Sequence, residues 1–371
     1  MNTTDVKKAN TLKVFELVYK EKIISKLNLS NMLGISIPTV TQCITLLKEK
    51  GLVSDDFRYE SAVGRKAAGI TSLPNCRAAI GVELHNSYIC MVAVNIYGEV
   101  FAESKAYIPH DINDQYYSLL GNAINNFFIS CNLTRDKFLG VGIAIQGIPD
   151  QEGRRMIYGK LLQNEVFNLD DLKPYVAFPC TLRHDSEALA DYTLWNNPEI
   201  TNCIFLHLDI NLGGSLIINR SAHWGKHMPS GLFEHMTLVP GGKTCYCGRK
   251  GCAECYCSSV SLLEGLDEDL DSFFRKMRQG NVDYQARWET FLFYLSHFID
   301  NLQMAYSAEV VIAGLLASYI SKEDLAAIQS NFSKHIYCDE IRPSISISPC
   351  HDNAVGAAIY YIKKFLENPM S

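Results

Sequence analysis

The stretch Gly231-Leu-Phe-Glu-His-Met-Thr-Leu-Val-Pro-Gly-Gly-Lys-Thr-Cys-Tyr-Cys-Gly-Arg-Lys-Gly-Cys-Ala-Glu-Cys255 has the most specific chemical pattern in the chain. One imidazole and three thiolates suit a four-coordinate structural zinc site. The intervening glycines allow the tight turns that let the sulfurs converge. A group of buried free cysteines is the alternative, and it explains the close spacings poorly. The pattern therefore predicts bound Zn²⁺ with the ligands His235, Cys245, Cys247 and Cys252.

The remaining cysteines affect two predictions, the identity of the zinc ligands and the cellular compartment of the protein. Cys255 and Cys257 lie beside the predicted ligands and leave the set open at this stage. The chain has thirteen cysteines, and its first residues lack the apolar core of a signal peptide. Without an export signal, such cysteines are expected to be reduced thiols or metal ligands. No apolar run approaches the roughly 18 residues of a membrane span, so we expect a cytoplasmic protein with no membrane partner.

Length and charge indicate more than one domain. A chain of 371 residues exceeds the size of one ordinary core, and its 47% hydrophobic and 20% charged residues are typical of a globular protein. Residues 1–75 contain eleven Lys or Arg against seven Asp or Glu, a balance of +4, so the net charge of −6 leaves −10 for the remainder. A basic end on an acidic body suits a small nucleic-acid reader joined to a larger domain.

The first 51 residues predict three short helices. Apolar residues recur at helical spacing between Leu12 and Val18, and a second short helix extends from Ser25 to Gly34. Ser36 suits the N-cap of a third helix that has Pro38 in its first turn. Two short helices joined by a turn with glycine form a helix-turn-helix. A small helical bundle without a DNA role is the alternative.

The third helix and the segment after it favour DNA binding. The helix has a buried stripe of Val40, Ile44 and Leu47, which leaves its other side polar. After it, Gly64-Arg-Lys-Ala67 is typical of the basic tip of a β-wing. The residues predicted to contact double-stranded DNA are Ser36, Thr39, Thr41, Gln42, Arg65 and Lys66. We therefore predict a winged helix-turn-helix domain over residues 1–75.

Residues 76–371 alternate between strands and helices, which is typical of an α/β fold with two lobes. Three strands after residue 78 predict a β-meander, and another strand is predicted over Phe138–Ile145. Further strands at 204–208 and 215–218 flank a predicted turn at Asn211–Ser215. A long helix is expected over Trp288–Tyr306, followed by a buried strand from Val310 and a small-residue helix from Ala354.

Together these motifs resemble the ROK family of repressors and sugar kinases, over nearly the whole chain. The resemblance is most specific at residues 235–258, and the wing and His184-Asp-Ser186 are most similar to the repressor branch. It implies an actin-like, ribonuclease-H-like double lobe over residues 76–371, with a sugar in the cleft and zinc bracing one wall. Asp185 matches the catalytic aspartate of the ROK kinases, which takes a proton from a sugar hydroxyl. In a sensor of the family the same carboxylate would only accept a hydrogen bond from that hydroxyl.

The phosphate-binding loops of the kinases are altered in this chain. Where the kinases resemble Asp-x-Gly-x-Thr, this chain has Glu83-Leu-His-Asn-Ser87, with bulky His85 at the glycine position. Where they resemble Gly-Thr-Gly-x-Gly-Gly-Gly, it has Asp209-Ile-Asn-Leu-Gly-Gly-Ser215. The charge of Asp209 opposes the binding of a phosphate. We therefore predict no enzymatic activity and no catalytic residues.

The sugar wall of the family also differs here. His235 matches a residue that binds zinc and faces the sugar, and Glu254 matches a sugar-binding glutamate. Leu232 replaces another sugar-binding glutamate, and Glu234 stands at a glycine position. The resemblance therefore implies ligand contacts from Asn164, Asp185, His235 and Glu254. Gln146–Pro149 also matches a cleft loop. The ligand is then an unusual sugar, or Glu234 supplies the missing carboxylate, or no sugar binds.

These expectations describe a sugar-responsive regulator, a repressor of carbohydrate-metabolism genes. Its partners are an operator in double-stranded DNA, a sugar or sugar-phosphate effector and a second copy of the chain, with a tetramer left open. The competing interpretations are a ROK sugar kinase with an added DNA-binding domain and a constitutive regulator with a vestigial cleft.

Overall fold

The computed structural model describes residues 3–58, 68–161, 167–226, 231–333 and 344–370. The N-terminal region has three helices and a three-stranded antiparallel sheet of order β1-β3-β2. Its elements are α1 (Thr3–Glu21), β1 (Ile23–Ser25), α2 (Lys26–Leu33), α3 (Ile37–Glu49), β2 (Val53–Arg58) and β3 (Ala68–Ser72). The three predicted helices are confirmed. The short strand β1 was not predicted, because its three residues carry no periodic signal.

Capping residues fix the turn between α2 and α3. Ser25 Oγ accepts a hydrogen bond from the Asn28 N–H at the start of α2, and Gly34 ends that helix with φ of 63°. Ser36 Oγ then accepts from the Thr39 N–H, which confirms the predicted N-cap of α3. Side-chain caps of this kind stabilise a helix start by about 1 kcal/mol. The two helices are therefore set at a defined angle by local sequence.

Residues from distant parts of the chain complete the N-terminal core. Val40, Ile44 and Leu47 are buried as predicted, and they pack with α1. Ile96 and Phe365 belong to the same core cluster. The division at residue 75 therefore stays an interpretation from sequence, because the N-terminal core needs residues from beyond that division.

The first lobe is a five-stranded mixed sheet of order β10-β7-β4-β5-β6 with helices packed against it. The predicted meander and the strand at 138–145 are confirmed. The elements are β4 (Ala78–Leu84), β5 (Ile89–Asn95), β6 (Val100–Ala106), α4 (Asp114–Ser130), β7 (Phe138–Ile145), β8 (Ile148–Pro149), β9 (Met156–Tyr158), α5 (Leu169–Leu172), β10 (Cys180–His184) and α6 (Asp185–Asn196).

The second lobe is another five-stranded sheet, of order β13-β12-β11-β14-β15. Its elements are β11 (Cys203–Leu208), β12 (Leu212–Ile218), β13 (Ser221–Ala222), α7 (Glu254–Cys257), α8 (Ser259–Leu262), α9 (Leu270–Arg278), α10 (Val282–Ala305), β14 (Glu309–Ala313), α11 (Lys322–Ser333) and β15 (Ile345–Ile347). The last helix, α12 (Asn353–Glu367), returns to the first lobe and packs on β4 and β7.

Two predicted boundaries were wrong. The turn expected at 211–215 is shorter, because β12 already begins at Leu212 and its glycines are strand residues paired with β11. Gly213 and Gly214 are required there by close packing, since a Cβ on Gly213 would lie 2.2 Å from Ser186 Oγ. Helix α10 begins six residues before the predicted Trp288, because Asn281 caps it through the Asp283 N–H.

Helix α12 lies unusually close to its neighbours. A Cβ at Gly81 would come within 1.7 Å of the Ala354 carbonyl oxygen, and one at Gly356 within 1.7 Å of the Ala188 oxygen. Helix α12 also spans the first lobe. Asn353 at its start lines the cleft between the lobes, whereas Phe365 near its end packs in the N-terminal core.

Candidate functional site

A cleft of about 410 Å³ lies between the two lobes, within the range of about 300–1,000 Å³ typical of small-molecule sites. Both lobes contribute strand ends and loops to it. The residues that matter below are Glu83, His85, Lys160, His184, Asp185, Ser186, His207, Asp209, Leu232, Glu234, His235, Tyr246 and Asn353. The predicted loop at Gln146–Pro149 contributes Gln146, Gly147 and Ile148. The cleft is thus polar at many points.

A cluster of candidate metal ligands lies beside one wall of the cleft, and of its four residues only His235 lines the cleft. The ligand atoms of His235, Cys245, Cys247 and Cys252 all lie within 4.8 Å of one another. The Sγ atoms of Cys247 and Cys252 are 3.8 Å apart, as are His235 Nδ1 and Cys245 Sγ. A tetrahedral site with metal–sulfur bonds of about 2.3 Å has ligands about 3.8 Å apart. The geometry therefore fits one zinc-sized ion.

The histidine of the cluster is suited to bind a metal. Burial lowers the pKa of His235, and the positive charges of Arg249 and Lys160 lower it further. A neutral imidazole is the form that coordinates a metal. Because Nδ1 faces the cysteines, Nε2 is directed elsewhere and lies 3.8 Å from Glu234 Oε1.

Backbone turns bring the cysteines together. Cys245 N–H donates to the Arg249 carbonyl, and the Gly248 N–H donates back to the Cys245 carbonyl. Gly248 and Gly251 have φ of 89° and 78°, a region that favours glycine. A Cβ on Gly251 would lie 1.7 Å from the Val239 carbonyl oxygen, so no other residue fits there. The glycines of the opening stretch are thus required by the fold of this loop.

Glu234 is a buried acid in the cleft wall. Its side chain is 10% exposed, and within the described part of the chain its Oε2 has no hydrogen-bond partner. Burial raises the pKa of Glu234 to about 8, and the nearby charges of Glu254 and Asp185 add to this effect. A protonated carboxyl group can both donate and accept a hydrogen bond. Glu234 therefore offers a polar contact beside Leu232, where the matching family residue is absent.

Glu254 lies behind the cleft wall and is not part of the lining. Its Oε1 accepts from Asn211 Nδ2 and its Oε2 from the Leu212 N–H, both at 2.7 Å. Burial raises the pKa of Glu254 to about 7. Both oxygens therefore hold the β11–β12 turn against the metal-binding loop. The predicted ligand contact of Glu254 is not seen in this arrangement and remains a prediction.

Asp185 is at the start of α6 and begins a chain of polar contacts. Its Oδ1 accepts the Ser186 N–H at 2.7 Å and lies 3.2 Å from His184 Nε2. Ser186 Oγ is 3.2 Å from His207 Nδ1, and His207 Nε2 is 3.4 Å from Asp209 Oδ2. Burial lowers the pKa of His207, but the interaction with Asp209 and the charge of Asp185 more than offset this and leave it raised. The His207 imidazole thus contacts the Asp209 carboxylate directly and the Asp185 carboxylate through the Ser186 hydroxyl.

A second polar group lies at the end of β4. Asn353 Nδ2 donates to Glu83 Oε1 at 2.8 Å, and His85 Nε2 is 3.5 Å from the same oxygen. Asn353 is only 4% exposed, and its Oδ1 has no hydrogen-bond partner among the described residues. His85 lies in the cleft as predicted.

The predicted DNA-reading side chains lie at the start of α3. Ser36 and Gln42 are exposed, whereas Thr39 and Thr41 are half-buried. The hydroxyls of Ser36 and Thr39 are 2.9 Å apart, so they are partly used within the cap. Gln42 is the most available of the four. Arg65, Lys66 and Asn164 lie outside the described residues.

Comparison with known proteins assigns the family. The profile described as the ROK family matches residues 79–363. The chain belongs to the ROK family. A xylose repressor from Bacillus spizizenii is 22% identical over 98% of this chain and 97% of its own length.

Solved structures show the same fold. The crystal structure of a ROK family transcriptional regulator, homologous to the Escherichia coli MLC protein, covers 97% of this chain and 96% of its own with a TM-score of 0.78 and 18% identity. A ROK family glucokinase from Streptomyces griseus, in complex with glucose and AMPPNP, covers 76% of this chain and 98% of its own, with a TM-score of 0.64 and 19% identity. The predicted two-lobed α/β fold of the ROK domain is confirmed, and the N-terminal helices are consistent with a helix-turn-helix.

Several cleft residues of this ROK domain were not predicted. Ser186 and His207 had only weak signals, since Ser186 follows Asp185 and His207 is two residues before Asp209. Asn353 carried no signal, because its partner Glu83 is 270 residues away. Lys160 and Tyr246 also line the cleft. No helix of the described ranges has the length and apolarity needed to cross a membrane.

Proposed function

We propose that this protein is a transcriptional repressor that binds an operator through its N-terminal region and a sugar or sugar phosphate in its cleft. The observation that carries the proposal is one chain that joins a ROK cleft to an N-terminal region whose helices α2 and α3 are consistent with a helix-turn-helix. The similarity to a xylose repressor over 98% of the chain supports it. The repressor acts in the cytoplasm, where thiols stay reduced.

The DNA-reading unit is a homodimer. Helix α3 of each copy enters the major groove, with Gln42 and the hydroxyls of Ser36, Thr39 and Thr41 near base edges. Arg65 and Lys66 contact phosphates or the minor groove. Two copies related by a two-fold axis read a pseudo-palindromic operator. Ligand binding changes the closure of the lobes and with it the spacing of the two reading helices, to the extent that the ligand prefers one state.

The effector binds between Asp185 and His235. The Asp185 carboxylate accepts a hydrogen bond from a sugar hydroxyl, and the His235 ring edge opposite the metal-facing Nδ1 contacts another. Glu234 supplies the acceptor that the family places at the position of Leu232. Asn164 and Glu254 are proposed as further contacts, and Glu254 reaches the ligand only if it releases Asn211 or Leu212.

The metal is zinc, held by His235, Cys245, Cys247 and Cys252. When bound, it supplies a fixed centre that rigidifies the sugar wall. The fit of the ligand spacing to a tetrahedral ion supports this assignment. Cys255 and Cys257 are then free thiols beside the site.

The competing function is a sugar kinase. Asp185 lies in the cleft as a catalytic base would, and this favours the kinase. The negative Asp209 and the bulky His85 oppose it, because both line the cleft at positions that match the phosphate-binding loops of the kinases in sequence. Incubation with ATP and a panel of hexoses separates the two functions. Turnover that Asp185→Asn abolishes would establish the kinase.

The test of the regulator is a thermal-shift screen of the full-length protein against sugars and sugar phosphates. A ligand at 100 times its Kd is expected to stabilise the folded state by about 2.7 kcal/mol. Asp185→Ala should remove the shift, whereas Asp283→Ala, an exposed acid on α10, should keep it. A stabilising sugar must then change the affinity for genomic DNA fragments selected by the protein. Failure of every sugar to stabilise the protein would leave a constitutive regulator.

A further inference from the structure

Strand β6 is an open edge of the sheet in the first lobe. Within the described part of the chain it pairs only with β5, so the backbone groups along its other side have no strand partner. Five of its seven residues are exposed, namely Val100, Phe101, Glu103, Ser104 and Lys105. An exposed strand edge is a ready template for pairing with another strand. The open side of β6 is therefore a candidate interaction surface, which we call the β6 edge.

The sequence of the β6 edge is complementary to itself when it is reversed. It reads Phe101-Ala-Glu-Ser-Lys-Ala-Tyr107, with an aromatic residue at each end and an alanine next to each of them. Glu103 and Lys105 lie on either side of the central Ser104. Two antiparallel copies centred on Ser104 would therefore place Glu103 of each copy opposite Lys105 of the other. Opposite charges at directly facing positions stabilise a strand pair.

The register of β6 on β5 puts both charges where they can meet a second strand. Glu103 and Lys105 lie on the same face of the sheet, because they pair with Val92 and Cys90, which are alternate residues of β5. Facing Cβ atoms of two antiparallel strands are about 5 Å apart, within reach of these side chains. The register shifts at Phe101, and this bulge ends the regular ladder on that side. The regular pairing therefore covers residues 102–106, with the two aromatic residues beside it.

The charges on the β6 edge favour a second copy over an arbitrary strand. A lysine on an edge strand normally opposes pairing. Only a partner with an acid opposite Lys105 and a base opposite Glu103 offsets both charges, and β6 itself has this pattern. Glu99 is the one other charged residue of the β5–β6 hairpin, and it accepts a hydrogen bond from Asn95 Nδ2 at 2.8 Å. It precedes the bulge, so it does not face the paired segment.

We propose that the β6 edge binds the β6 edge of a second copy of this chain, antiparallel about a two-fold axis at Ser104. The two five-stranded sheets then continue into one another across the axis. This goes beyond the homodimer of the proposed function, because it assigns a contact surface and a register between copies. It depends on neither DNA nor a sugar.

The β5–β6 hairpin connects the two functional regions of the protein. Tyr97, in the turn before β6, stacks on Tyr19 of α1 with ring centroids 4.9 Å apart. At the other end of the hairpin Tyr88 stacks on His85, which lines the cleft, with centroids 4.3 Å apart. Lys105 Nζ lies 3.6 Å from the centre of the same Tyr88 ring. A second copy on the β6 edge therefore contacts the hairpin between the cleft and the N-terminal core.

The test is disulfide crosslinking of full-length Ser104→Cys. Directly opposite residues of antiparallel strands have Cα atoms about 4.5–5.5 Å apart, within the range of a disulfide. Pairing raises the effective concentration of the two thiols to roughly the millimolar range. At micromolar protein under mild oxidation, we therefore expect linked dimer to form about tenfold or more faster than in the control. The matched control is Ser221→Cys, at an exposed serine on β13, the edge strand of the second sheet.

Charge substitutions in the Ser104→Cys background test the register. Glu103→Lys places like charges opposite each other at both pairs and should slow crosslinking to the rate of the control. Adding Lys105→Glu restores opposite charges and should restore most of the crosslinking, which a merely structural effect of the first substitution would not do. Thermal melting of each variant shows whether it is folded.

The contrary results each overturn a defined part of the proposal. Equal crosslinking at residues 104 and 221 would refute the pairing of two copies and leave the β6 edge to a strand of another protein. Crosslinking that survives Glu103→Lys, or that the double substitution fails to restore, would refute the antiparallel register. Neither result affects the proposed function, because a homodimer formed through another surface would still bind an operator and a sugar.

Discussion

Phe365→Ala is expected to destabilise the N-terminal region, although residue 365 is far from it in sequence. Phe365 is 7% exposed and belongs to the N-terminal core. Its ring meets that of Phe15 edge-on, with centroids 6.1 Å apart, and the Arg77 guanidinium lies 5.4 Å from its centre. The substitution therefore removes an aromatic contact between α12 and α1.

The expected loss is large for a small domain. A phenylalanine side chain buries roughly 200 Å², worth about 5 kcal/mol at 25 cal/mol per Å², and alanine retains part of this. A loss of about 3–4 kcal/mol agrees with the usual range for such truncations. Opening of the N-terminal region should then become more frequent by a factor of about 100 or more.

Hydrogen–deuterium exchange measures this without knowledge of the operator. Peptides from α1 and α3 should exchange about 100 times faster in the variant, while peptides from β11 and β14 should be unchanged. Phe293→Ala, at a ring that is 50% exposed on α10, is the control and should leave α3 protected. Unchanged protection of α3 in the Phe365 variant would refute the assigned packing.

Three further perturbations test the rest of the structure. Cys247→Ser should reduce bound zinc, measured by elemental analysis, from one ion per chain to little or none, and should lower the melting temperature. Full zinc content in this variant would contradict the proposed ligand set. Gly81→Ala should destabilise the protein by several kcal/mol in urea unfolding, because its Cβ meets the Ala354 carbonyl oxygen at 1.7 Å. The pair of His207 and Asp209 should stabilise the fold most between about pH 4 and 6.5. The pKa of Asp209 is lowered below its ordinary 3.8, so its contribution is present above that pH. The pKa of His207 is raised above its ordinary 6.5, so its contribution is full below that pH. The melting difference from His207→Gln should therefore shrink as the pH rises through the folded pKa of His207, and a difference that grows above pH 7 would contradict the pairing.

Local patterns in the sequence predicted what local physics determines. The N-cap Ser36, the helix end at Gly34 and the strand 138–145 follow from residues within a few positions of each other. The grouping of His235 with three cysteines was predictable for the same reason, because Cys245, Cys247 and Cys252 fall within eight residues of sequence.

The cleft was less predictable because its contacts join distant positions. Asn353 meets Glu83 across 270 residues, and no periodicity in either segment indicates the pair. Glu254 matches a sugar-binding residue by sequence, yet its carboxylate holds the Asn211 turn. A motif gives the identity of a side chain, whereas its hydrogen-bond partner depends on how whole elements pack.

The tight packing of α12 has a mechanical consequence. Because Gly81 and Gly356 bring the backbone of α12 into close contact with β4 and α6, we expect α12 to move with the first lobe as one rigid unit, with Phe365 carrying the motion to the N-terminal core. The helix of 15 residues is about 22 Å long. A rotation of roughly 10° at the cleft end would thus displace the far end by about 4 Å, close to the rise of one base pair, about 3.4 Å. In the proposed dimer, a shift of that size would move the two reading helices out of register with their half-sites.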